Sequence, residues 1–229
     1  MWAQQANSIT SLVSDLKSPD EEQRFHAYKV IKADRDALKR TDVRAALLDL
    51  LDRENQRTHE EQADRGEGNA EDIAELSDTV MEFADWHDQR QVCILANTPY
   101  NPDSEFARGL AVKGGAVVAP CLLKIAQHKY GDVAVTVLVQ ISAVTKELSP
   151  AIRQQIRQAT LAGLRDADRR LVTVQALDKF GTPDLIPVLQ EIARSDPYSR
   201  LLDNGQRRFD IREAATKAIQ SIQARANSQ

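Results

Sequence analysis

The chain has 229 residues, 30 Lys+Arg against 34 Asp+Glu, and a formal net charge of -4. Hydrophobic residues make up 42%, charged residues 28% and aromatics 5%, with 9 Gly, 8 Pro and 2 Cys. This composition excludes collagen, a disulfide-stapled mini-protein and a disordered tail. A pI near 5.6 excludes a general nucleic-acid binder, which carries a basic excess. No apolar run approaches the roughly 20 residues that span a bilayer, so no membrane insertion is expected. The first residues, Met1-Trp2-Ala3-Gln4-Gln5-Ala6, have no basic region and no apolar core of a leader. They read as an ordinary start in a cytoplasmic protein, or as the small-residue stub of a removed leader in an exported one. Two cysteines, Cys93 and Cys121, fit either compartment.

In chain order, Asp20 to Lys32 carries Phe25, Tyr28 and Ile31 at helical spacing. Ser18-Pro19 stands before it, with Ser18 as the expected N-cap and Glu21 completing a capping box. Thr41 to Leu51 carries Val43, Ala46, Leu47, Leu50 and Leu51 on one face. From Asp49 to Asp88 the chain holds 14 acids and 3 bases. Within this stretch residues 56–69 show no apolar face, and are expected to form an acidic loop or a frayed helix end. Ile73, Leu76, Val80 and Phe83 resume the helical pattern, and Asn97-Thr98-Pro99-Tyr100-Asn101-Pro102 marks a turn-rich break.

The second half repeats itself. Ala119-Pro120-Cys121-Leu122-Leu123-Lys124-Ile125-Ala126 matches Ile186-Pro187-Val188-Leu189-Gln190-Glu191-Ile192-Ala193 in Pro, Leu, Ile and Ala. The offset is about two units of a 30-to-40-residue repeat, the period of helical solenoids. Ser149-Pro150 opens a segment of the same kind that runs to Leu164, and Thr182-Pro183 opens another. Partner helices are expected over Asp132–Thr145, apolar on every side and therefore central, over Asp168–Phe180, and over Phe209–Ile222.

Helix pairs with Asp before one helix and Pro at the start of the other resemble HEAT repeats. The closest likeness is to the degenerate HEAT-like repeats of bacterial phycobilisome lyases. It covers residues from about 117 to the end and from 18 to 54, and fails over 55–116. The resemblance implies an all-α fold: a right-handed α-α superhelix of about five or six helix pairs, as a single domain over residues 1–229. It implies a non-enzymatic scaffold that holds an unidentified protein partner on its concave face. Lys124, His128, Arg153, Arg157, Gln190 and Arg194 are expected to line that face. The alternative is a HEAT-like lyase or chaperone for a small cofactor such as a linear tetrapyrrole. HEAT-like DNA glycosylases use a basic concave face. Here residues 151–229 hold only 13 bases against 9 acids, an ordinary solvated surface, so no nucleic acid is expected.

Other motifs yield no chemistry. His59-Glu60-Glu61-Gln62-Ala63 lacks the second His of a zinc protease. Gly66-Glu67-Gly68-Asn69-Ala70-Glu71 lacks the third Gly and the strand of a dinucleotide loop. Ser14-Asp15-Leu16-Lys17 has no companion lactamase-type motif. No two of His26, His59, His87 and His128 lie three or four apart, so no metal site is expected. Asp85-Trp86-His87-Asp88 could hold a ligand, but Trp86 after Phe83 reads more simply as core. Cys121, aligned with Val188, reads as a small buried hydrophobe, not a reactive thiol, and Cys93 is read alike. No cofactor and no catalytic set are assigned.

Overall fold

A computed structural model of the chain describes residues 2–64, 70–98, 104–128, 131–202 and 205–228. The fold is all-α apart from one two-residue hairpin. Spatial proximity divides the chain into two compact units, residues 1–100 and 101–229. The division falls at the turn-rich break.

The first unit contains α1 (Trp2–Asp15), α2 (Glu21–Ala33), α3 (Thr41–Asp64), α4 (Ala70–Phe83) and α5 (Gln89–Ala96). The apolar faces read from spacing are the buried ones: Phe25, Tyr28 and Ile31; Val43, Ala46, Leu47, Leu50 and Leu51; Ile73, Leu76 and Val80. The cap of α2 differs from expectation. Asp20, not Ser18, is the N-cap and accepts from the Gln23 backbone N–H at 3.0 Å. Ser18 supports it from outside by accepting the Asp20 N–H at 3.1 Å. A carboxylate bonds more strongly than a hydroxyl at a helix N-terminus, so the cap moves two residues on. The helix α3 also runs further than its apolar face, to Asp64, so residues 56–64 take the helical alternative to an acidic loop. Residues 65–69 lie outside the described residues.

The core of this unit is partly polar. Arg24, 2% exposed, donates from Nε to Glu54 Oε1 at 2.8 Å. Its Nη1 donates to the Ser18 and Pro19 carbonyls. Nη2 lies 2.8 Å from the same Glu54 oxygen as an ion-pair contact without hydrogen-bond alignment. Tyr28 Oη pairs with Thr79 Oγ1 at 2.8 Å, and burial pushes the phenol up to about 12. Asn55 donates to the Ile94 carbonyl at 2.8 Å and ties α3 to α5.

The second unit begins with α6 (Glu105–Gly109), a π-type turn over Leu110–Gly114, and α7 (Gly115–Ile125). Gly115, at φ 43°, stands at the boundary between the π-type turn and α7, in a conformation in which any side chain is strained. Together these make a segment, Glu105–Ile125, of 21 residues and mean hydropathy 1.4, long and apolar enough to cross a membrane. This corrects the expectation that no such run exists; Arg108 and Lys113 conceal it in the sequence. Of its most apolar window, 56% is buried in the protein.

There follow α8 (Asp132–Val144), α9 (Pro150–Arg165), α10 (Arg170–Phe180), α11 (Ile186–Ser195), β1 (Arg200–Leu201), β2 (Arg207–Arg208) and α12 (Asp210–Asn227). The strands are antiparallel, with Arg200 opposite Arg208. Ser149 caps α9 as expected, accepting the Ile152 N–H at 3.2 Å, with Pro150 in the first turn. In α8, eight consecutive residues from Ala134 to Ile141 are buried. Two layers result. The helices α8, α10 and α12 pack side by side in one, and α7 packs on α9 in the other, with α11 against α12. Gly163 lets α9 close on α10; a Cβ there would come within 2.6 Å of Thr173 Oγ1.

Asp178 clamps α10 to α12. It accepts from Lys217 Nζ at 2.7 Å and from Ser221 Oγ at 2.5 Å, while Arg225 holds its backbone carbonyl. Partial burial pushes this carboxyl up, and the bonds from Lys217 and Ser221 more than offset it, so it titrates below the usual range.

Two predictions rest on these polar contacts. Arg24→Ala should destabilise the protein by about 3–5 kcal/mol, because Glu54 stays buried with its main partner gone. Urea denaturation of Arg24→Met/Glu54→Leu should show a smaller loss than Arg24→Ala. For Asp178 the folded pKa is depressed. Its stabilisation is therefore present above the ordinary Asp pKa of about 3.9 and is lost as pH falls below that. Asp178→Asn should lower the melting temperature at pH 7, and its deficit against the parent should shrink as pH approaches about 3.

Candidate functional site

The sequence points to the α7, α9 and α11 layer, and two cavities open there within the second unit. The helix α9 has a different side toward each. Gln155, Gln158, Ala159 and Ala162 face α7, while Arg153, Ile156, Arg157 and Thr160 face α10 and the turn before α11. The 3.6-residue period accounts for the division: 155, 158, 159 and 162 form one stripe, and 153, 156, 157 and 160 form the other.

The groove between α7 and α9 has a volume of about 710 Å³. Leu123 and Lys124 from α7, Gln155 and Gln158 of α9, and Arg169 are among its walls, and no carboxylate is among its lining residues. Arg169 is fixed by donating to the Ala126 carbonyl at 2.7 Å and the His128 carbonyl at 2.5 Å. It thereby holds the chain end of α7 against the start of α10.

The second cavity, of about 250 Å³, lies among α8, α9, α10 and the short 3₁₀ turn Pro183–Leu185. Arg157 Nε donates to Asp184 Oδ2 at 2.8 Å and bridges α9 to that turn. Thr182 Oγ1 donates to the other Asp184 oxygen at 2.6 Å. Partial burial pushes the Asp184 carboxyl up, and the Arg157 and Thr182 bonds more than offset it, holding it below the usual carboxylate range.

All six expected contact residues are exposed. They do not converge. Lys124 belongs to the α7–α9 groove, and Arg153 and Arg157 belong to the smaller cavity. His128 follows α7 and is held by its carbonyl, while Gln190 and Arg194 on α11 line neither cavity. Arg169, Gln155, Gln158 and Asp184 complete the two sites and were not selected from the sequence. Their signal is the helical stripe of α9, which shows only once its neighbours are known.

The cysteine assignment needs correction. Cys121 is buried, as expected, but both cysteines are disulfide-bonded and neither is a free thiol. The equivalence with Val188 also fails. Pro120 lies inside α7, whereas Pro187 lies in the first turn of α11, and Val188 is half-buried. Composition made the two octapeptides alike; their places in the helices differ.

The acidic turn at Asp85–Asp88 serves α5. Asp88 caps it, accepting from the Arg90 and Gln91 backbone N–H groups, and hydrogen bonds from Gln91 hold its carboxyl below the usual range. Asp85 accepts from the His87 N–H at 2.9 Å. Trp86 is half-buried, not core. In the first unit an open cavity of about 730 Å³ is walled by Asp20, Glu21, Glu22 and Asp72, with Lys29 paired to Asp72 at 3.0 Å. Among the described residues no group of three or more His, Cys, Asp or Glu could hold a metal ion.

No protein-family model, curated protein or solved structure matches the chain.

The thiol state can be read directly. Thiol titration of the unreduced, denatured protein should find no free cysteine, and reduction should release two. A titratable Cys121 thiol in freshly purified protein would contradict the assignment.

Proposed function

We propose that the chain is a non-enzymatic protein-interaction scaffold. Its second unit is read as HEAT-like repeats turning as a right-handed solenoid, with the α7, α9 and α11 layer as the binding face. One observation carries this reading: the α7–α9 groove of about 710 Å³ sets Lys124, Arg169 and the amides of Gln127, Gln155 and Gln158 beside apolar walls of Pro120, Leu123 and alanines, with no carboxylate among its lining residues. Such walls suit an extended, acidic segment of a partner protein. Lys124 supplies charge, and Gln155 and Gln158 can donate to and accept from a peptide backbone. The HEAT resemblance supports the reading through the layered helix pairs, which leave a groove between successive members of one layer.

For the alternative, a HEAT-like lyase or chaperone for a small cofactor, the bonded cysteines argue only against attachment of a bilin to this chain's own sulfur. The same bonds favour export to an oxidising compartment over the cytoplasm.

The test places a photo-crosslinking residue at Gln158 in the groove and, as control, at Gln220 on α12. Irradiation in the native host should trap one discrete protein from position 158 and not from 220. Lys124→Glu should reduce its yield several-fold, and raised salt should do the same. Equal trapping from both positions would sink the proposal.

A further inference from the structure

The smaller cavity is built unlike the groove beside it. Its floor is apolar: Val139, Ile156, Leu177 and Leu185 are buried there, and Phe180 stands beside them. Its rim carries two guanidinium groups one helical turn apart, Arg153 and Arg157. Arg157 spends Nε on Asp184, and its two terminal nitrogens make no hydrogen bond among the described residues. The Arg153 guanidinium makes none among the described residues, and it is exposed at the mouth. Five guanidinium N–H donors at fixed angles, next to a closed apolar floor, recognise a planar anion that carries a hydrocarbon body.

We propose that this cavity binds a monocarboxylate on a short apolar or aryl body. The carboxylate would sit between Arg153 and Arg157, and the body would lie on Val139, Ile156 and Leu177. Charge decides between anions. Two arginines and Asp184 leave the rim one positive charge in excess, which matches a monoanion, whereas Asp184 opposes a dianion such as phosphate. Size decides the body. A volume of about 250 Å³ falls below the lower end of drug-sized sites, so a fragment fits and a tetrapyrrole does not. This inference stands apart from the scaffold reading, since it uses the opposite side of α9.

A carboxylate of this kind has two sources, a free small acid or the C-terminus of a polypeptide ending in an apolar residue. The probe for the first is 3-phenylpropionate, followed by chemical shifts of the isoleucine, leucine and valine methyl groups. Saturable shifts should centre on Ile156 and Leu177, with a dissociation constant on the order of 1 mM, ordinary for a fragment. The neutral 3-phenylpropionamide should bind at least tenfold more weakly. Arg153→Ala should weaken binding of the acid about tenfold with an unchanged melting temperature, since this side chain makes no hydrogen bond or ion pair among the described residues. Ser142→Leu, which narrows the cavity, should abolish binding in a protein that still melts cooperatively. A tetrapeptide ending in Phe, compared with its C-terminal amide, tests the second source. If the peptide acid binds tenfold more tightly than 3-phenylpropionate, the natural ligand is a chain terminus; if it does not, the ligand is a free acid. The proposal is overturned if no saturable shift occurs. Equal binding of acid and amide, or parental affinity in Arg153→Ala, overturns it as well.

Discussion

The second unit depends on one constraint: α8 has no polar face. Eight consecutive residues from Ala134 to Ile141 are buried, and an α-helix turns through more than two full circles over that length. Such a helix cannot lie on a surface. It must be enclosed, and α7, α9 and α10 enclose it. Even its polar members are accommodated, with Thr136 donating to the Asp132 carbonyl one turn back. Each enclosed Val, Leu or Ile contributes about 1.5–3 kcal/mol relative to exposure, far more than any surface ion pair of the unit. The packing of α7, α9 and α10 and the groove between α7 and α9 are consequences of covering one helix on all sides.

The first unit is organised differently. Its apolar faces are ordinary one-sided stripes, and the space between them is closed by buried polar pairs. Arg24 with Glu54, Tyr28 with Thr79, and Asn55 with the Ile94 carbonyl all join helices distant in sequence. Apolar stripes of similar shape can slide past one another by a turn; a guanidinium that must meet one carboxylate and two loop carbonyls cannot. Such contacts add little net energy over apolar replacements, and each fixes the register of the two helices it joins.

Where the chemistry of a residue is local, the sequence is legible. Every expected apolar position of α2, α3 and α4 save Phe83 is buried, because 3.6-residue periodicity needs no knowledge of neighbours. The Ser149-Pro150 start holds for the same reason. Legibility fails where two distant segments must be compared. Glu54 reads as one more acid in an acidic stretch until Arg24 is set beside it. Cys121 reads as a packing residue because sulfur behaves as a hydrophobe when free, and nothing in a single sequence says that it is not free. The six candidate contact residues were found as exposed positions, which is local, but their division between two cavities depends on which neighbour each side of α9 meets.

Counting charge along the chain overstates what is available for binding, and the arginines of the second unit show why. Arg170 spends its guanidinium on the Leu164 and Arg165 carbonyls and on Asp196. Arg225 spends its own on the carbonyls of Leu177, Asp178 and Gly181, and Arg212 donates to the Asp196 carbonyl while lying over the Phe209 ring. Arg169 is tied to two carbonyls beyond α7. These side chains add donors to carbonyls at helix ends and turns, two of which, Leu177 and His128, also accept a backbone N–H, so they serve as caps that happen to be charged. A modest excess of bases over acids in this region therefore overstates its free cationic surface. Binding capacity lies with the cations that the fold does not consume, and the contrast between Arg169 and Arg153 is the informative one. Both stand at the edge of a cavity; the first has its guanidinium tied to two carbonyls and paired with Asp166, and the second makes no side-chain hydrogen bond among the described residues, above an apolar floor.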